Sequence, residues 1–178
     1  IPVRIGSRSA TPSFDWENRG TWPAALANVD AVYISYYPDL AAPGATDAIR
    51  AFTELAVRSG VRRLVLLSGR GEPEAQRCEE IVMSSGVQWT VLRCSWFNQN
   101  FSENYLLEPI LGGEVALPAG RVPEPFVDTD DIAHVAVAAL TEEGHAGELY
   151  ELTGPRLLTF GEAIGEISRA SGQEVRYV

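Results

Sequence analysis

There is no lysine in this chain; all 14 of its basic residues are arginine. That absence excludes a Schiff-base lysine, a P-loop lysine and a Tyr-x-x-x-Lys proton relay. Histidine is scarce: His134 and His145 are the only two, too few for a His-rich metal site. The two cysteines, Cys78 and Cys94, lack metal-ligand spacing. Without a secretory signal they read as reduced thiols of a cytoplasmic protein. No apolar run reaches the length needed to cross a bilayer. Basic residues are outnumbered by 24 acidic ones. The formal net charge of −10 argues against nucleic acid or an anionic membrane as a partner. What remains is a chain of 178 residues, 46% hydrophobic and 21% charged. That is one domain's worth of globular sequence, long enough to bury a sizeable core.

The chain is organised around Val61 to Glu72. Two arginines open this stretch, Leu64-Val65-Leu66-Leu67 fills it, and Ser68-Gly69-Arg70-Gly71 breaks it. A short continuous apolar run between helical patterns predicts a strand buried on both faces, the kind found in parallel sheets covered by helices. Ligands of open α/β sheets bind beyond the carboxyl ends of the strands, so Ser68 to Glu72 falls where chemistry is expected.

Strands and helices alternate around it. Ile1 to Arg8 reads as a short strand running into a polar turn. Thr21-Trp22-Pro23 starts a short helix, with Thr as cap and Pro just inside. Asp30 to Ser35 is a strand, with Tyr36 to Leu40 as its exit loop. Pro43 to Ser59 is a helix, stopped by Gly60. Pro73 to Ser85 is the next, with Ala75, Cys78, Ile81 and Val82 on one face. Gln88 to Arg93 is a second buried strand, left through Cys94 to Asn100. A helix is predicted from about Phe97 or Asn100 to Leu111. Val115 to Pro118 and Pro125 to Val127 are short extended pieces. Asp128 to Asp131 opens a helix over Ile132 to Leu140, and its carboxylates suit the positive end of the dipole better than a metal. Glu148 to Leu152 alternates as a strand. Thr159 to Glu162 is a capping box for the next helix, and Val175 to Val178 is a last strand. The fold class is α/β: a Rossmann-like three-layer domain with a mostly parallel sheet.

Gly69-Arg70-Gly71-Glu72-Pro73-Glu74 has the strand-to-helix context of a dinucleotide fingerprint. It fails at its sixth position and would set Glu72 and Glu74 beside a pyrophosphate. It reads as an exit loop. Arg8, just past a strand end among small hydroxyl residues, has the fork that suits phosphate oxygens. Tyr36, Tyr37, Trp96 and Phe97 are aromatics in two strand-exit loops, able to wall a flat ring. Beside the last two stand Ser95, Asn98, Gln99 and Asn100, whose polar groups need partners when buried. Cys94 ends a buried strand with no His or Lys near it in sequence, so it reads as inert.

Three segments together, Val61–Glu72, Trp89–Phe101 with Leu-Arg-Cys-Ser-Trp-Phe-Asn-Gln-Asn-Phe, and Pro125–Ala139 with Phe-Val-Asp-Thr-Asp-Asp-Ile-Ala, resemble the NmrA-like branch of the atypical short-chain dehydrogenase/reductases. The resemblance implies an NADP (or NAD) cofactor. By it, Arg8 selects NADP, Asp15 and Trp16 form the adenine-side loop, and Tyr36 and Tyr37 sit in a neighbouring strand-exit loop. Ser68, Gly69, Ser95, Trp96 and Phe97 wall the nicotinamide, and Arg70 and Asn100 are substrate-side polar groups. Residues 1–178 are then a single NAD(P)-binding domain. Relative to the family it reads as truncated at both ends, without the N-terminal glycine-rich βα unit and the C-terminal part. The implied function is NAD(P)H-dependent hydride transfer to a quinone- or azo-type acceptor. The alternative is a non-catalytic NAD(P)-binding redox sensor. The implied partner is a small-molecule substrate, with a homodimer left open.

Overall fold

Leu64, Val65 and Leu66 are completely buried, and they form the middle of a strand, β2 (Arg63–Gly69). The structure is a computed structural model that describes residues 2–178. With β1 (Ala31–Ile34), β3 (Gln88–Cys94) and β6 (Glu148–Leu152), β2 builds a four-stranded, mostly parallel sheet in the order β1-β2-β3-β6. β1 and β2 run in the same direction, in register from Ala31↔Arg63 to Ile34↔Leu66. The parallel sense follows from the helix between them, α2 (Ala45–Arg58), because parallel strands need a crossover.

The chain divides into two compact units. The first holds the residues up to Arg93 together with Val135–Tyr150; the second holds Cys94–His134 and Glu151–Val178. In the first unit, α1 (Trp22–Leu26), α2 and α3 (Pro73–Met83) join the sheet around a core that includes Trp22, Ile49, Phe52, Leu64, Leu66 and Val91. Phe14, Trp16, Trp22 and Phe52 pack edge-on or stacked, with centroids 4.9 to 6.2 Å apart. Arg63 donates to the carbonyls of Leu140 and Glu142, each at 3.0 Å. These lie at the C-terminal end of α5 (Thr129–Thr141), where a cation is favoured.

The second unit has a separate core of Phe101, Leu106, Ile110, Val115, Phe126, Phe160 and Ile164. Around it, β4 (Glu114–Val115) pairs in parallel with β8 (Arg176–Tyr177), and β5 (Pro123–Glu124) pairs antiparallel with β7 (Leu158–Thr159). α4 (Leu107–Leu111) and α6 (Phe160–Ser171) complete it. Both halves of the predicted capping box are present at the start of α6: Glu162 N–H donates to Thr159 Oγ1, and Thr159 N–H donates to Glu162 Oε2.

Two expectations are corrected. Of the strand expected over Ile1 to Arg8, Ile1 lies outside the described residues, and residues 2–6 form no strand. Val3 and Ile5 are exposed, and Arg4 reaches instead to the carbonyls of Ala25 and Ala27. Alternation makes a strand only where a neighbour completes the ladder, and no described strand does so here. The helix expected from Phe97 or Asn100 is helical only as a 3-10 turn at Asn98–Asn100 and then as α4. Pro109 accounts for the late start: it is tolerated only in a first turn, since it lacks an N–H and crowds the carbonyl four residues back. Asn104 adds to this by turning its Oδ1 onto Tyr105 N–H at 2.8 Å.

Candidate functional site

Because β1 and β2 are parallel and in register, their exits lie on one edge of the first unit's sheet. That edge brings together Tyr36 and Tyr37 after β1 and Ser68, Gly69 and Arg70 at the end of β2. Trp16 joins them. Its indole N–H donates to the carbonyl of Ser35 at 3.3 Å, and its ring meets Tyr36 edge-on at 4.9 Å. Asp15 is held in the same loop: its carbonyl accepts from the Trp22 indole at 2.7 Å and its Oδ1 from Glu17 N–H. Burial, then the nearby Cys78 and Glu17, push the Tyr36 phenol above its ordinary range. Tyr37 is 76% exposed.

Arg8 sits in a turn fixed by Phe14, whose N–H donates to the Ser7 carbonyl at 2.8 Å. Phe14 in turn packs on Trp16. Arg8 is exposed and makes no ion pair among the described residues, and the hydroxyls of its sequence neighbours Ser7 and Ser9 hydrogen-bond to each other at 3.2 Å. An exposed guanidinium with a hydroxyl pair beside it in the same turn is a donor set that fits a phosphate group.

A Cβ at Gly69 would lie 2.5 Å from Glu72 Oε2, so a side chain there would have to turn the Glu72 carboxyl aside. The Glu72 carboxyl folds over the glycine, and its pKa is raised by burial, then by Asp39 and Glu74. Negative charge at this turn agrees with reading it as an exit loop.

Ser68 is 4% exposed and donates to Glu79 Oε1 at 2.6 Å. Glu79, on α3 and 2% exposed, also accepts from Arg93 of β3: Nε to Oε1 at 3.0 Å and Nη2 to Oε2 at 2.5 Å. Neither Glu79 nor Arg93 was expected in a site. The signal was there for Glu79, which lies four residues after Ala75 and three before Val82, on the helix face that is buried.

The other expected residues lie in the second unit. Ser95 is buried, and its hydroxyl donates to the Pro125 carbonyl at 2.5 Å while its N–H donates to Leu152. Trp96 is 39% exposed; its N–H donates to Glu124 Oε1 and its ring meets Phe160 at 5.1 Å and Tyr105 at 6.4 Å. Phe97 bridges to Val127. Gln99 ties this loop to Asp128, whose Oδ1 also accepts from Asp130 N–H at the start of α5. That backbone bond, then Gln99, holds the Asp128 carboxyl below its ordinary range. Asn100 accepts from Asn104 at 3.5 Å. The Cys94 thiol is pushed up to about 12 by burial, which leaves it inert at neutral pH. No helix among the described residues is long and apolar enough to cross a membrane.

A parallel sheet with helical crossovers and a polar, aromatic-rimmed exit edge defines a Rossmann-like α/β protein. No family model matches the chain. It is 32% identical over 180 residues to an NAD(P)H azoreductase of Xenophilus azovorans, covering 94% of this chain and 60% of that one. It is 31% identical over 201 residues to agroclavine dehydrogenase of Claviceps fusiformis, covering 100% and 68%. Among solved structures, an NADPH-dependent quinone oxidoreductase of Escherichia coli complexed with NADPH superposes with a TM-score of 0.74 at 24% identity, covering 94% and 61%. The chain belongs to the NmrA-like atypical short-chain dehydrogenase/reductases. It spans from 58% to 68% of the length of the curated relatives it matches.

Proposed function

We propose that this protein is an NAD(P)H-dependent oxidoreductase that reduces a quinone- or azo-type small molecule in the cytoplasm. The observation that carries this reading is the shared edge of β1 and β2, where Tyr36, Tyr37, Ser68 and Gly69 gather beside Trp16, in a member of this family. Arg8, with Ser7 and Ser9, would take the 2′-phosphate of NADP. Asp15 and Trp16 would hold the adenine side, and Tyr36 and Tyr37 the neighbouring wall. Ser68 and Gly69 would position the nicotinamide, and Arg70 the acceptor. When bound, the reduced cofactor supplies a hydride; the acceptor takes it together with a proton from water. The chain's part is orientation and burial rather than a Tyr-Lys proton relay, since lysine is absent and the Ser68 proton is given to Glu79.

The test is to mix the purified protein with NADPH and a panel of quinones and azo dyes and follow the loss of NADPH absorbance. Turnover supports the oxidoreductase. Tight NADPH binding without turnover supports the redox sensor, and no binding rejects both. Arg8→Ala should weaken NADPH on the order of tenfold more than NADH. Equal losses would remove Arg8 from the 2′-phosphate.

A further inference from the structure

Ser68, Glu79 and Arg93 form a buried polar chain that links the end of β2 to α3 and β3. Three apolar side chains could join these elements at less cost, because a buried ion pair must be desolvated. What the chain of bonds does uniquely is set the direction of one hydroxyl. An ion-paired carboxylate can only accept, and a guanidinium can only donate. With the fork of Arg93 on both carboxylate oxygens, Ser68 meets an acceptor, and its single proton points at Glu79 Oε1. No described group donates to Ser68 Oγ, so its lone pairs are what it can offer a ligand.

Resting on the oxidoreductase reading, we infer that Glu79 and Arg93 are positioning residues that hold Ser68 as a hydrogen-bond acceptor, so that the site selects a ligand group bearing an N–H. On nicotinamide that group is the carboxamide NH₂. A ring substituent of the same shape with no N–H would leave the serine lone pairs unpaired and be disfavoured.

The experiment is isothermal titration of wild type, Ser68→Ala and Glu79→Gln with NADP⁺ and with its 3-acetylpyridine analogue, in which a methyl ketone replaces the carboxamide. Wild type should prefer NADP⁺ by about tenfold. Ser68→Ala should bring the preference close to unity. In Glu79→Gln the amide oxygen keeps the place of Oε1, where it accepts from both Ser68 and Arg93 Nε, so the serine proton stays committed and the preference for NADP⁺ should persist. A purely structural role would weaken both ligands alike, so a preference that is the same in all three proteins overturns the inference and leaves the oxidoreductase reading standing. Failure of wild type to bind either dinucleotide overturns both. Ser68→Ala removes one hydroxyl and no charge, so its ratio decides the question even if Glu79→Gln does not fold.

Discussion

Replacing Glu79 with leucine removes both oxygens on which three donors converge: Ser68 Oγ–H, Arg93 Nε and Arg93 Nη2. Breaking a buried ion pair by deleting one partner costs about 3–5 kcal/mol, because the surviving charge stays desolvated. The Arg93 side chain is 20% exposed and Glu79 only 2%, so water recovers part of the guanidinium's loss. That sets the expectation for Glu79→Leu at the lower end, ~3 kcal/mol. The double substitution Glu79→Leu/Arg93→Met removes both charges of the pair at once, so it should cost less than the sum of the two single losses. Urea denaturation followed by tryptophan fluorescence measures this, with Trp16, Trp22 and Trp89 in the same unit as the pair. The midpoint should shift while the slope holds. A cost below about 1 kcal/mol for the single variant, or a double variant that simply sums the two single losses, would refute the claim that these groups act as one buried unit.

Gly154→Ala should cost about 3 kcal/mol, because the new methyl would collide with the Phe126 carbonyl while the Gly154 N–H is tied to Pro125 at 2.9 Å. Gly165→Ala, whose methyl would meet only the end of Arg169 at 3.6 Å, should instead stabilise α6 by up to about 1 kcal/mol. Both read out as shifts in denaturation midpoint. Thr159→Ala removes the N-cap of α6 and should cost ~1 kcal/mol. The Glu162 carboxyl in the same box has its pKa lowered, first by the Thr159 N–H, so its contribution is complete above the unfolded value and is lost as pH falls through the folded one. The gap in melting temperature between wild type and Glu162→Gln should therefore close in acid. Glu72 has the opposite sign: its folded pKa is raised, so stability is lost as pH rises through that value. Glu72→Gln should raise the melting temperature at pH 7 and give no gain below the usual carboxylate range. An equal gain at both pH values would contradict this.

Elements whose cause is local were legible in the sequence. Leu64–Leu67 could hardly be anything but a buried strand, and the Thr159 and Glu162 spacing carries its own hydrogen bonds. The parallel sheet followed from helices filling the gaps between strands. Where a distant partner decides, the reading failed or stayed silent. Val3-Arg4-Ile5 has a strand's alternation but no ladder in the described structure. Within the candidate site, Tyr36, Tyr37 and Ser68 were visible as residues at strand exits. The spacing of Ala75, Glu79 and Val82 placed Glu79 on the buried face of α3, but its partner Arg93, arriving from another strand, left no such trace. The pairing of Ser95 with Pro125, thirty residues away, left no periodic trace.

Lysine's absence takes on a second meaning once the bonds are known. Arg4 grips two carbonyls, Arg63 reaches the end of α5, Arg93 forks Glu79, and Arg156 forks Glu166 with two contacts of 2.9 Å. Each of these joins two or more acceptors with one rigid plane, which a single ammonium at the end of a flexible stem does less well. In such a chain an arginine with no described ion pair stands out, and Arg8 is one of them. It differs from Arg50, Arg121 and Arg169 in being flanked by two hydroxyl side chains and in sharing a loop with Phe14 and Trp16. The case for Arg8 as an anion-binding residue is thus a contrast within one molecule. Where many of the other guanidinium groups hold the protein to itself, this one is left facing solvent in the loop that carries Phe14 and Trp16.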